Sequence, residues 1–454
     1  MHEMRAGFIL IDIILALSLG MIFVAIIAEM SLSASSTFHR AQSRAAMLDA
    51  YVAGKALVGQ TGSYGNDMTE RDDTVSTMVF PTIAMRPLAS LSDAAGAPFC
   101  SVDMSGQRRF GAGKSGKFVM SPISLPVSAS VGSALTDIQV RNGIAYISAD
   151  SALASDPDLF IVDISSTTAP RVRSTIDTGP GIAAIVLAGR RIYAAAASAA
   201  AELHVIRLDS LDSPVIEGKF KVPLPYATAT PPVGSAISYD QKHIYLGTEK
   251  WDGQELSVID VSHPAQPVFD GGAEIGGKVA SISMRDSIGY VGAAGVHQLS
   301  TIDARDPFHP ISSDVFQPSG WARQEGEALS VFEGSLTLGR TSGGFDMPAD
   351  HELFAWPNPV PNWLGPASLN IPGGVYGIVM DRYHIYVATR QAGKELVIFD
   401  QLASTSASTT QLSTSTMVAY HMPNVPKTLT CDGTHLYMLA HGAPFIYDIS
   451  FIPN

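Results

Sequence analysis

A short apolar strand centred on tyrosine recurs about every 48 residues from Phe118 to the C-terminus, and no other feature limits the fold as much. The copies are Ile144-Ala145-Tyr146-Ile147, Arg191-Ile192-Tyr193-Ala194, His243-Ile244-Tyr245-Leu246, Ile288-Gly289-Tyr290-Val291, His384-Ile385-Tyr386-Val387 and His435-Leu436-Tyr437-Met438. The interval between Tyr290 and Tyr386 is about twice the others, and Ser335-Leu336-Thr337-Leu338 fills it without a tyrosine. Most copies are followed by a second apolar run ending in Asp, such as Leu159-Phe160-Ile161-Val162-Asp163, Leu256-Ser257-Val258-Ile259-Asp260, Leu299-Ser300-Thr301-Ile302-Asp303 and Leu396-Val397-Ile398-Phe399-Asp400. Repeats of this length, each holding several short strands, predict a seven-bladed β-propeller over residues 118–454. The last unit stops soon after Asp448, whereas Ser121 to Val127 supplies a strand ahead of the first unit. An N-terminal strand is therefore expected to complete the last blade and remove an open edge.

The runs Val162-Asp163-Ile164-Ser165 and Ile259-Asp260-Val261-Ser262-His263-Pro264 resemble those of LVIVD-repeat propellers of bacterial surface proteins. Their Asp and Ser side chains suit backbone-capping turns at strand exits, which is the reading preferred over a chemical role.

Ahead of the repeats, Phe8 to Ile27 is apolar except for Asp12, Ser18 and Gly20. As a helix this stretch would span roughly 30 Å, the depth of a bilayer core, with one carboxylate inside it. An acid at that depth is a functional feature by default. The helical pattern continues through Phe38, Ala41, Ala45, Leu48, Val52 and Ala56 until Gly59, Gly62 and Gly65 break it. The expected element is a long N-terminal α-helix over 8–58 whose first half is transmembrane. A cleavable secretory signal fits less well, because Glu3 stands beside Arg5 and Asp12 interrupts the apolar run. A plain anchor gains nothing from charge, since Arg5 is opposed by Arg40 and Arg44.

This N-terminal stretch resembles that of type IV prepilins and pseudopilins. The resemblance implies a leader over residues 1–7, cleavage by prepilin peptidase between Gly7 and Phe8, N-methylation of Phe8, and assembly through Asp12 and a neighbouring subunit's amine. The family usually has Glu where this chain has Asp12. Residues 59–117 are expected to be a connector or a reduced pilin-type sheet.

Composition narrows function. A net charge of -13 and the absence of Lys/Arg runs argue against nucleic-acid binding. Cys100 and Cys431 have no CxxC or zinc-ligand spacing, so no metal or other cofactor is expected, while a disulfide between them is open in an oxidising exterior. The stretch Gly111-Ala112-Gly113-Lys114-Ser115-Gly116 lacks the preceding strand that a dinucleotide site requires. His243, His384 and His435 occupy equivalent places in their repeats and are expected to be exposed rather than to converge on a metal. No catalytic motif is present, and the chain is not expected to be an enzyme.

The fifth repeat departs most, with Trp321, Trp356 and Trp363 set among prolines, and these three are the candidate ligand-binding residues. The resulting expectation is a minor or tip pilin displaying a propeller for adhesion to a surface glycan or protein. Its partners would be other pilin subunits and the assembly machinery, and it would pass from the inner membrane to the cell surface. A secretion pseudopilin and a membrane-anchored propeller enzyme are the alternatives.

Overall fold

The computed structural model describes residues 116–453, apart from 128–133, 151–155, 199, 227–228, 296, 317–324, 333–334, 342–350, 357–365, 381–383, 401–417 and 433–434. All of the described residues fall in the second of the two units into which the chain divides, Asp73–Asn454. The expected N-terminal helix, its processing site and residues 59–115 lie outside them. Among the described residues no helix is long and apolar enough to cross a membrane.

Seven antiparallel four-stranded sheets make up the domain, and six are built from strands consecutive in sequence. The innermost strands of blades 1 to 7 are Leu135–Arg141, Ile182–Ala188, Gly234–Asp240, Val279–Arg285, Ala328–Phe332, Val375–Met380 and Pro426–Cys431. Each touches the innermost strand of the next blade, and the seventh touches the first, so the ring closes around a central channel. The tyrosine runs form the second strands, from Ile144–Ala149 in blade 1 to Leu436–Ala440 in blade 7, and the LVIVD-type runs form the third. The two-residue turn Asn142-Gly143 joins the first two strands of blade 1 with both residues at positive φ, the conformation that matches strand twist.

Blade 7 is completed from the other end of the domain. Gly116–Ser124 pairs antiparallel with Phe445–Pro453 over nine residue pairs, from Gly116 with Pro453 to Ser124 with Phe445. The expected closure is observed, and the closing strand begins two residues before the expected boundary at 118.

The apolar residues divide into seven clusters, each spanning two adjacent blades. Tyr146 of blade 1 packs with Ile182, Ile185 and Ile192 of blade 2. Tyr245 packs with Val279, Met284 and Val291 of blade 4, and Tyr437 carries the pattern across the closure to Ile138 and Val140 of blade 1. A single blade has two apolar faces and cannot bury either alone. That is why the third strands read as continuous apolar runs instead of alternating ones: Leu159, Phe160, Ile161 and Val162 are all buried between neighbours.

A second repeated device lies at the start of five of the seven third strands, where an acid is buried. Asp158, Glu202, Glu255, Glu352 and Glu395 each accept a backbone N–H from the chain leaving the outer strand of the same blade: Thr178 at 3.0 Å, Val222 at 2.7 Å, Ile275 at 2.8 Å, Ile371 at 2.7 Å and Met422 at 2.9 Å. These bonds fix the crossing to the next blade and satisfy amides that would otherwise be buried without partners. Burial pushes the Asp158 carboxyl up to about 6, against the hydrogen bonds from Thr178.

The turns after the third strands also act between blades. As expected, Asp163 and Asp260 accept the N–H of Ser165 and Ser262, at 3.1 Å and 2.7 Å. The turns of blades 2, 3 and 4 lie over the preceding blade's outer strand, with Leu211 against Ser174, Pro264 against Gly218 and Pro307 against Gly271. A Cβ on Gly271 would stand 2.5 Å from the Pro307 carbonyl oxygen, so this position admits only glycine without a shift of backbone.

Tyr245, fully buried between blades 3 and 4, tests this packing. Tyr245→Ala is expected to cost about 3 to 5 kcal/mol in urea unfolding, with Tyr245→Phe far milder. An alanine variant within about 1 kcal/mol of the native chain would refute the assignment of the clusters as the source of stability.

Candidate functional site

Two kinds of loop share one face of the ring: the hairpins between second and third strands, and the crossings between blades. On that face the channel mouth is lopsided. The residues directly ahead of the innermost strands are Gly181, Val233, Gly374 and Val425 in blades 2, 3, 6 and 7, but Lys278 and Glu327 in blades 4 and 5. Lys278 Nζ lies 3.2 Å from Glu249 Oε1 and 3.5 Å from Glu325 Oε2. Blade 6 adds Arg390, whose guanidinium carbon sits 3.7 Å above the centre of the Tyr376 ring, a cation–π contact. Blade 7 adds Lys427 and His441.

These groups act on one another. Desolvation raises the Glu327 carboxyl above the usual carboxylate range; Lys427, Lys278 and Arg390 oppose the rise and Glu325 adds to it. Burial, then the positive charges of Arg390 and Lys427, hold the His441 imidazole below its ordinary range. Across the channel, Asp137 accepts N–H bonds from Ile138 at 2.7 Å and Ile185 at 3.0 Å. Its burial outweighs those bonds and the pull of Lys427, and pushes the carboxyl up to about 6.

Blades 1 to 3 contribute shorter groups to the same mouth. Thr136 and Ser235 turn their hydroxyls onto the Ile182 and Val279 carbonyls of the next blades, each at 2.6 Å, and Ala183 carries no polar group. The mouth therefore draws the cations Lys278, Arg390 and Lys427 from blades 4, 6 and 7, sets them among the carboxylates Asp137, Glu249 and Glu327 of blades 1, 3 and 5, and adds small hydroxyls from blades 1 and 3. Such an arrangement can hold a ligand bearing both an anionic and a hydrogen-bonding group. Beside Arg390, a cavity of about 420 Å³ between blades 5 and 6 is lined by Leu369, Ile371, Pro372, Val397 and Phe399, with the Asn370 side chain at its wall.

The sequence had pointed to three tryptophans. Trp321 and Trp363 lie outside the described residues. Trp356 is not on a loop: it ends the third strand of blade 5, is 8% exposed, and packs with Leu299, Leu336, Leu338 and Phe354 between blades 4 and 5. Its ring fills the interface of blades 4 and 5 beside Tyr290, whereas Thr337, which replaces the repeat tyrosine, is paired with Ala355 of the blade 5–6 cluster, so Trp356 belongs to the core and offers little surface to a ligand.

The expected exposure of the three histidines also fails for two of them. His243 and His384 are 6% and 1% exposed. Each stands two residues before its tyrosine, on the same strand face, with the rings 6.5 Å and 5.8 Å apart. The third, His435, pairs its Nδ1 with Asp448 at 2.9 Å. The three sit in separate blades and do not meet. Cys431, on the innermost strand of blade 7, is 4% exposed and disulfide-bonded. Gly7, Phe8, Asp12 and Cys100 lie outside the described residues.

Residues 132–178 and 251–272 match the LVIVD repeat, covering blade 1 and part of blade 3. Hydrazine synthase from Kuenenia stuttgartiensis is similar in structure at 14% identity, over 72% of this chain and 97% of its own, with a TM-score of 0.50. BamB from Moraxella catarrhalis matches at 14% identity over 70% of this chain and 85% of its own, with a TM-score of 0.44. The designed protein Ika8 matches at 14% identity over 73% and 99%, with a TM-score of 0.46. At this identity the likeness concerns the fold alone. No curated protein sequence matches the chain. A seven-bladed propeller carrying LVIVD repeats suggests a recognition or adhesion-like role.

Asp137 gives the site a pH signature. An unfolded Asp titrates near 3.9, whereas Asp137 in the fold is raised to about 6. Its stabilisation is therefore present below about pH 4 and lost as pH rises through about 6. Asp137→Asn, neutral throughout, is expected to gain on the order of 2 kcal/mol relative to the native chain between pH 4 and pH 7. Denaturant titrations at the two pH values measure this, and an unchanging difference would contradict it.

Proposed function

We propose that the chain is a pilin-like surface protein, a minor or tip subunit of a type IV pilus-like fibre, whose propeller recognises a surface glycan or protein and catalyses no reaction. The observation that carries the recognition part is the lopsided charged mouth: its cations Lys278, Arg390 and Lys427 come from blades 4, 6 and 7, around a ring that is otherwise repetitive. In a repeat protein, a ligand-specific surface is built where equivalent positions stop being equivalent. The N-terminal motif, Gly7-Phe8 with Asp12 inside an apolar run, supports the fibre part. A disulfide-bonded Cys431 favours an exterior location, and Cys100 is the only other cysteine in the chain.

Two measurements test the two parts separately. Intact-mass and N-terminal analysis of protein from its native host should find a mature chain starting at N-methylated Phe8. A start at Met1, or near Ala34, would remove the pilin reading without touching the propeller. For the head, Arg390→Glu combined with Lys427→Glu should reduce adhesion at least about tenfold, equivalent to about 1.4 kcal/mol, while melting stays near that of the native protein. Undiminished adhesion would exclude the channel mouth as the binding surface.

A further inference from the structure

Blades 1 to 3 carry a β-bulge where the third strand meets the outer strand, and the extra residue is charged in all three: Arg173, Glu217 and Asp270. A bulge turns a side chain out of the regular alternation, and here it aims a charge back toward the end of the third strand. In blade 1, Arg173 meets Asp163 at 3.8 Å. In blade 2, Glu217 lies between Arg191 and Arg207, one acid against two cations. Blade 3 reverses the balance. Its bulge acid, Asp270, and the strand-end acid, Asp260, converge on one imidazole, that of His243, and ligand atoms of all three lie within 4.8 Å of one another.

The geometry inside this group is not that of an ordinary ion pair. His243 Nε2 is buried and 3.2 Å from Asp270 Oδ2, yet it makes no hydrogen bond, because the ring N–H direction does not point at that oxygen. A separation near 3.2 Å is what two ligands show when each is about 2.1 Å from a shared ion at an angle of roughly 100°. Asp260 lies directly opposite His243 in the strand register. The Asp260 Oδ1 accepts the Ser262 N–H at 2.7 Å and its Oδ2 accepts the Lys242 ammonium at 2.7 Å. Lys242 is more than half exposed and can swing away into water, freeing Oδ2.

We propose that His243, Asp260 and Asp270 bind one divalent transition-metal ion, with zinc the ion best suited to one imidazole and two carboxylates. Water would complete the coordination. The site lies on the face of the ring opposite the charged mouth, and it stands or falls independently of the recognition reading.

Full-length protein, stripped with EDTA and dialysed, is titrated with zinc by calorimetry and followed by thermal melting. One zinc per chain and a raised melting temperature are expected. His243→Gln and Asp270→Asn should each weaken zinc binding by at least about tenfold and abolish the thermal shift. Lys242→Met should tighten zinc binding, since it removes the cation that competes for Asp260, whereas a purely structural ion-pair role predicts no change in zinc affinity. His435→Gln, in the isolated pair of blade 7, should leave binding as it is. Absence of binding, or binding unaltered by both ligand substitutions, would overturn the proposal. If the ligand variants fail to fold, Lys242→Met decides alone, and unchanged affinity in that variant rejects the site.

Discussion

The structure depends on one constraint: a blade cannot bury its own faces. Every apolar cluster in the ring straddles two blades, with a tyrosine from the second strand of one reaching the strands of the next in six of the seven. Stability is thus held in the interfaces, and each interface depends on the ring being complete. Closure of blade 7 by Gly116–Ser124 is the step that turns a stack with two open ends into a ring with none. The buried acids at the third strands have a subordinate but connected role. By binding the amides that leave the outer strands, they set the path by which one blade hands the chain to the next.

Regularity of this kind leaves function to the exceptions. Blade 5 is one: its innermost strand lacks the bulge that the other six carry after their first pair, Thr337 replaces the repeat tyrosine, and Trp356 and Phe354 pack into the interface with blade 4. The channel mouth is another, because Lys278 stands where other blades place Ala134, Gly181, Val233, Gly374 and Val425, and Arg390 where blades 1 and 3 place Asp150 and Glu249. Blade 3 is the third, with two acids where blade 2 has one. None of these exceptions disturbs the common framework, which is why each can differ without cost to the fold.

Much of the framework was legible from the residues. The tyrosine and LVIVD-type strands announce themselves through spacing, and the position of the last Asp near the C-terminus already implied closure from the other end. The Asp-Ser turns were read correctly because their chemistry is local. What escaped was what depends on the third dimension. Glu202, Glu255, Glu352 and Glu395 recur immediately before the third strands, but an acid in a sequence reads as surface, and only the structure places them under crossing loops. The channel mouth draws one or two residues from each of several blades, with no motif in any one of them. The prolines beside Trp356 suggest a loop, whereas the interface of blades 4 and 5 takes up the indole beside Leu336 and Tyr290. His243 and His384 were misread for a related reason: a position beside a turn is buried when a neighbouring tyrosine and strand cover it.

The closing strand joins the propeller to everything that precedes it in the chain. A tensile load arriving along that segment meets the Gly116–Pro453 pair first. The nine pairs of the closing strand thus lie between that segment and the other six blades, so the element that completes the ring is also the first part of it that such a load reaches.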